Sequence, residues 1–137
     1  MAVTYYSANR IMDRYFGSTT LTPATTYYMG VSTTAPSTDG TNVTEPIGGG
    51  YARVAITNNK VSFTTSSDGT VENAIEFQFP EATSDWGVVT HFVLYDASSG
   101  GNLEIYGTLT SSRTVESGTT LILSPNALEI TLEECTT

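Results

Sequence analysis

A chain of 137 residues with a net charge of −9 suits one domain spanning residues 1–137. Residues 61–137 hold one arginine against eleven carboxylates, a net −10, whereas residues 1–60 are near neutral at +1. This acidic body disfavours nucleic-acid binding. No apolar run approaches the ~18 residues of a membrane span or follows a basic signal region, which predicts no membrane partner and synthesis in a cytoplasm.

The N-terminal segment, residues 1–17, predicts a short helix. Ser7 is the candidate N-cap, and Gly17 is placed to end the helix in a left-handed conformation. One stripe of the helix is apolar: Ile11, Met12, Tyr15 and Phe16. About ten residues of helix are unstable alone in water, so this stripe must be buried against the protein's own sandwich or a neighbouring subunit. Tyr5 and Tyr6, ahead of the helix, are predicted to be free.

A first strand is predicted over residues 25–34, and a long loop over residues 35–50 follows it. The loop is rich in Pro, Gly, Thr and Ser, and only Val43 and Ile47 are available to anchor it. Loops of this length are uncommon in compact domains and are often functional. The loop is therefore either a contact arm or a simple surface excursion.

Further strands are predicted at regular spacing along the rest of the chain. Residues 53–57 and 61–65 read as a hairpin turning at Asn58 and Asn59, with a further turn at residues 66–69. Ile75, Phe77 and Phe79 alternate with polar residues and are predicted to share one buried face.

Residues 86–95 carry apolar side chains on both faces, which is typical of a central strand covered on each side. Strands over residues 103–110, 119–123 and 128–132 complete the pattern. The predicted fold is mainly β, an antiparallel β-sandwich of about eight strands with one short N-terminal helix. Its predicted core is Phe77, Phe79, Trp86, Phe92, Leu94 and Ile130.

The sequence predicts no catalytic residues, no cofactor and no metal, and therefore no enzyme. His91 is the only histidine and falls in the strand predicted to be most buried, so it is interpreted as a packed or hydrogen-bonded residue. Cys135 is the only cysteine, and no GxSxG, HExxH or paired CxxC motif occurs. Neither Asp96 nor the Glu133–Glu134 pair has the ligand spacing of an EF-hand.

The order of segments resembles small bacteriophage virion proteins of the minor tail, tail-fibre or head-decoration type. The matching segments are ANRIMDRYFG, TTYYMGVSTTAP, GGGYARVAI, FPEATSDWGVVTHFVLYDASSGGNLEIYGTL and TVESGTTLILSPNALEITL. The resemblance implies a virion location and assembly through symmetric contacts with other virion proteins, with a homo-oligomer expected and a trimer favoured. It leaves open whether the location is the tail or the capsid.

Two classes of function follow: a non-enzymatic structural component of the virion, or a carbohydrate- or receptor-binding module at the tail tip or capsid surface. The second class needs exposed aromatic residues in loops, whereas Trp86 and most tyrosines fall in or beside predicted strands. The candidate interface residues are Tyr5, Tyr6, Ile11, Met12, Tyr15, Phe16, Val43 and Ile47.

Overall fold

Nine strands and one helix occupy residues 2–132, the part of the chain that the computed structural model describes. The elements are β1 (Ala2–Val3), α1 (Tyr5–Tyr15), β2 (Thr26–Ser32), β3 (Val54–Thr57), β4 (Thr70–Glu72), β5 (Phe77–Gln78), β6 (Gly87–Tyr95), β7 (Leu103–Val115), β8 (Ile122–Leu123) and β9 (Glu129–Thr131). The prediction of a mainly β fold with about eight strands and one short N-terminal helix is confirmed. None of the helices in this described part is long and apolar enough to cross a membrane.

The strands form two layers in which every pairing is antiparallel. One layer is a five-stranded sheet with the order β1-β7-β6-β2-β3. The other is built from two separate pairs, β4 with β9 and β5 with β8. Apolar side chains from both layers meet in one buried cluster, so the two pairs act as the second sheet of a sandwich.

The predicted core residues lie in this cluster. Five of them are buried, namely Phe77, Phe79, Trp86, Phe92 and Leu94, and Ile130 packs against them while partly exposed. Ile75 is exposed, because the strand that would have aligned it with the two phenylalanines begins only at Phe77. The predicted buried face is therefore confirmed for Phe77 and Phe79 and wrong for Ile75.

The central strand β6 is covered on both faces, as predicted. A bulge between Val89 and His91 changes the alternation, so Val89 joins the main core together with Phe92. On the opposite face, Val93 and Tyr95 form a second small cluster with Leu103, against which Val43 of the long loop packs. The cover on that face is thus the loop at residues 35–50.

The hairpin predicted at Asn58 and Asn59 does not form. Residues 58–62 are turns and bends, in which the Asn59 side-chain oxygen accepts hydrogen bonds from the backbone of Val61 and Ser62 at 3.0 Å. Phe63 then makes only an isolated bridge. The turn at residues 66–69 is confirmed, with positive φ at Asp68 and Gly69. Glu133, Glu134 and Cys135 lie outside the described residues.

Candidate assembly surface

The helix begins one turn earlier than predicted, because Thr4 rather than Ser7 is its N-cap. The Thr4 backbone is extended, and its hydroxyl accepts from the Ser7 N–H at 3.4 Å. The same hydroxyl donates to the Leu103 carbonyl at 2.6 Å, which joins the cap to β7. Tyr5 and Tyr6 consequently lie in the first helical turn and not ahead of the helix.

A buried carboxylate, Glu104 of β7, holds the first half of the helix on the sheet. Ser7, the buried residue of the helix, donates its hydroxyl hydrogen bond to Glu104. Arg10 lies 3.5 Å from the same carboxylate, donates to the Thr22 carbonyl at 2.8 Å and lies over the Tyr6 ring. A glutamate between Leu103 and Ile105 in a buried strand was the sequence signal for such an anchor, and sequence reasoning missed it.

The second half of the helix extends away from the sandwich. Every residue from 12 to 20 is exposed, and we call this segment the helix overhang. It carries three large apolar side chains: Met12 is 54% exposed, Tyr15 80% and Phe16 75%. The rings of Tyr15 and Phe16 meet edge to face with centroids 5.2 Å apart. The apolar stripe is therefore not buried on the chain's own sandwich, apart from the half-buried Ile11.

The helix ends without the predicted left-handed glycine. The Phe16 N–H donates to the Met12 carbonyl at 2.8 Å, and the positive φ of 55° belongs to Ser18. A Cβ at Gly17 would lie 2.9 Å from the Asp13 carbonyl oxygen, so glycine is needed there for close approach rather than for its backbone angles.

The loop at residues 35–50 is fastened to the sheet by a partly buried ion pair. Arg53 binds both carboxylate oxygens of Glu45, at 2.9 and 2.8 Å, and its guanidinium lies 3.7 Å from the centre of the Tyr95 ring. It also donates to the carbonyls of Ala97 and Gly100, which fixes the turn between β6 and β7. Sequence reasoning did not pair Glu45 with Arg53, since they are eight positions apart, one in the loop and the other just before β3.

Tyr51 completes this network. Its hydroxyl donates to Glu45 at 2.6 Å and accepts from the Val31 N–H at 3.1 Å. Burial would raise the pKa of Glu45, but the hydrogen bonds from Arg53 and Tyr51 and the Arg53 charge hold it below its usual value. Burial and the hydrogen bond to Glu45 raise the pKa of Tyr51, so this hydroxyl stays a donor.

The eight predicted interface residues fall into separate places. Met12, Tyr15 and Phe16 share the overhang, and Tyr5 and Tyr6 are exposed in the first turn. Ile11, in the middle of the helix, is half-buried. In the loop, Val43 turns inward onto the sheet, whereas Ile47 is 99% exposed. The Tyr5 N–H donates to the Thr38 carbonyl at 2.9 Å, which links the loop to the start of the helix.

An open apolar groove of about 620 Å³ lies between the two layers at the foot of the helix. Six of its lining residues are Ile11, Val71, Leu94, Ile105, Ile130 and Leu132. Leu132, at the rim, is more than half exposed. Sequence periodicity did not reveal this groove, because the elements that line it come from both ends and the middle of the chain.

The residues considered for other chemistry are placed in ordinary structural roles. His91 is half-buried, and its Nδ1 lies 2.7 Å from the Thr90 hydroxyl. Trp86 is buried, and its indole N–H donates to the Gly49 carbonyl at 2.8 Å. In residues 2–132, the large exposed aromatic side chains lie on the helix, namely Tyr5, Tyr6, Tyr15 and Phe16.

Comparison with known proteins adds one finding to this geometry. A search among curated proteins returns no match for this chain. The family described as "Podophage GP4 fiber I protein gp80", a phage tail-fibre family, matches residues 2–131. This match covers almost the whole chain, including the helix, the loop and both layers of the sandwich. The chain therefore belongs to the podophage fibre I protein family and is a bacteriophage structural protein of the tail-fibre type.

Proposed function

We propose that this protein is a non-enzymatic subunit of a phage tail fibre that assembles through the helix overhang into a homo-oligomer, with a trimer favoured. The observation that carries the proposal is the run of nine exposed residues, 12–20, with three large apolar side chains. A patch of this kind on a rigid support is typical of a protein–protein interface. The fibre-family match supports its use within a virion.

The way the helix is held supports this role. Thr4, Ser7 and Arg10 fasten its first half to β7 through Leu103 and Glu104. The second half is thereby presented at a fixed position instead of as a flexible arm. A pre-ordered contact loses less conformational entropy on binding, which favours a stable assembly.

The loop is proposed to supply a second contact, made with other virion proteins. Ile47 is fully exposed, although the neighbouring Glu45 is fixed by Arg53 and Tyr51. An isolated apolar side chain on a fastened loop suits the rim of an interface. The protein would be made in the host cytoplasm and carried in the virion.

Two variants separate these contacts. Phe16→Ser should lower the oligomer mass measured by light scattering, because burying one phenylalanine contributes about 1.5 to 3 kcal/mol per contact. Ile47→Ser removes an exposed side chain of the loop and should leave that mass unchanged while reducing incorporation into particles. Far-ultraviolet circular dichroism checks that both variants keep the β fold.

A parent protein that scatters as a monomer at high concentration would contradict the homo-oligomer. An oligomer that is unchanged by Phe16→Ser would remove the overhang from the interface. If both variants entered purified particles as well as the parent does, neither surface would be a virion contact.

A further inference from the structure

We infer that a cleft between β7 and β8 is a binding site for an acidic sugar, one hexuronic acid unit whose carboxylate is held by Arg113. The cleft has a volume of about 350 Å³ and is lined by residues from both layers of the sandwich. This volume lies within the range of about 300 to 1,000 Å³ that is usual for small-molecule sites. The inference goes beyond the proposed function and does not require self-association.

Arg113 occupies a core-facing position of β7. It pairs with Val89 of β6 and lies two residues before Val115. Side chains of paired residues, and of residues two apart in a strand, share one face of the sheet. Both valines are 0% exposed, whereas Arg113 is exposed and lines the cleft. The guanidinium is therefore held at the mouth of the cleft by a strand whose neighbouring positions belong to the core.

This guanidinium is available for a ligand. Within residues 2–132 the ion-paired arginines are Arg10 and Arg53, so Arg113 has no carboxylate partner there. It is also the single lysine or arginine of residues 61–137. The planar fork of an arginine matches the two oxygens of a carboxylate, which it binds through two parallel hydrogen bonds.

The bulge in β7 shapes the cleft. Between the pair Val89–Arg113 and the pair His91–Thr108, β6 contributes Thr90 alone, whereas β7 contributes residues 109–112. Residues 109–111 line the cleft next to Arg113. Bulges bend the strand that carries them and redirect its side chains, and they are frequent beside functional sites. The extra residues of β7 thus open the two layers at the place where the arginine lies.

The walls of the cleft are apolar at the base and hydroxylated at the rim. Buried Phe79 and Phe92 lie at the base, one from each layer. The rim carries four hydroxyl groups, those of Thr108, Thr110, Ser111 and Ser124. Each hydroxyl offers one donor and two acceptor positions, which complement the hydroxyl groups of a sugar. An apolar base with a few polar groups around it is the usual composition of a ligand site.

Glu129 narrows the class of anion. It is exposed and lines the same cleft. Its negative charge disfavours a phosphate group, which carries about −1.5 to −2, more strongly than it disfavours a single carboxylate. Its oxygens also accept hydrogen bonds from ligand hydroxyl groups. The cleft therefore favours a singly charged, hydroxylated ligand over a phosphorylated one.

The test is a ligand-observed NMR titration of the full chain at neutral pH with four probes. Galacturonate carries the carboxylate and the hydroxyl groups, galactose lacks the carboxylate, cyclohexanecarboxylate lacks the hydroxyl groups, and galactose 6-phosphate carries a phosphate. A sugar acid of about 13 non-hydrogen atoms with ordinary ligand efficiency gives a Kd on the order of 1 mM. The other three probes should each bind at least about fivefold more weakly.

Two variants of Arg113 and one control identify the site. Arg113→Gln should weaken galacturonate binding about tenfold and change galactose binding little. Arg113→Lys should give an intermediate affinity, because it keeps the charge but not the planar fork. Lys60→Gln removes the same charge at an exposed position outside the cleft lining and should bind galacturonate as the parent does. Circular dichroism verifies the fold of each variant.

The outcomes decide between the site and its alternatives. Preference for galacturonate that is lost in Arg113→Gln and kept in Lys60→Gln would establish the site. Equal binding of cyclohexanecarboxylate or of galactose would overturn the acidic sugar as its ligand. Binding that Arg113→Gln leaves unchanged would overturn this cleft as the site. No binding at about tenfold above the expected Kd would leave Arg113 as a charge that protects the edge of β7 from pairing. Oligomer mass, measured by light scattering, tests the proposed function separately.

Discussion

The ion pair between Glu45 and Arg53 gives the most specific stability prediction. Glu45→Gln keeps the shape of the side chain and the oxygen that accepts from the Tyr51 hydroxyl. In the parent protein the second carboxylate oxygen accepts from Arg53 at 2.8 Å, and the substitution places an NH₂ group there, opposite the guanidinium N–H. The guanidinium is nearly buried, and an arginine stays protonated, so the substitution leaves a desolvated charge without a counter-charge.

The expected cost follows from the hydrogen bonds involved. A hydrogen bond to a charged group contributes about 1.5 to 3 kcal/mol, and the Glu45 side chain is still partly in contact with water. We therefore expect a loss of about 2 kcal/mol from the free energy of unfolding, which corresponds to a decrease in Tm of about 6 to 8 °C for a domain of this size.

The pH dependence provides a second signature. Because the pKa of Glu45 is lowered in the folded protein, the ion pair stabilises the fold above the ordinary carboxyl pKa of about 4.3. This stabilisation is lost as the pH falls through the lowered pKa. The difference between parent and Glu45→Gln should thus be full at neutral pH and shrink in acid.

Denaturant unfolding followed by Trp86 fluorescence measures this difference, with exposed Glu76→Gln as the control. A Glu45→Gln protein within about 0.5 kcal/mol of the parent at neutral pH would show that the network does not stabilise the fold. A difference that stayed constant into acid would show that it does not arise from the Glu45 charge.

Two further substitutions test how the loop and the helix are fastened. Gly30→Ala should destabilise by about 1 to 3 kcal/mol, because its Cβ would lie 2.5 Å from the Tyr51 hydroxyl and 2.6 Å from Glu45; equal thermal unfolding would disprove this crowding. Thr4→Val should cost about 1 to 2 kcal/mol in chemical unfolding through loss of the cap and of the bond to Leu103, whereas exposed Thr20→Val should cost almost nothing.

The core could be predicted from the sequence because burial follows local alternation. Phe77 and Phe79 alternate with Glu76 and Gln78, Phe92 lies between His91 and Val93, and all three phenylalanines are buried. The pattern fails where the chain departs from regular pairing. The bulge after Val89 shifts the alternation by one position, and the late start of β5 leaves Ile75 outside the strand. Alternation alone contains no sign of either.

The fastening network could not be predicted, because it depends on contacts between distant segments. Glu104 meets Ser7 across 97 positions, and Arg53 reaches the Ala97 carbonyl across 44. The apolar stripe of the helix was recognised, but its periodicity is the same whether it faces its own sandwich or a partner. The contacts of Thr4, Ser7 and Arg10 with Leu103 and Glu104 determine how far the helix extends beyond the sheet.

The two fastened elements share one structural principle. Glu104 holds the first half of the helix, and Glu45 holds the loop just before Ile47. Each carboxylate thus fixes the position of a segment that carries exposed apolar residues. A charged pair at such a position contributes little apolar contact area itself, but it restricts the conformations of the segment that carries the contact. Loss of Glu45 or Glu104 should therefore weaken assembly without removing a single contact atom, which separates positioning residues from the apolar residues of the interface.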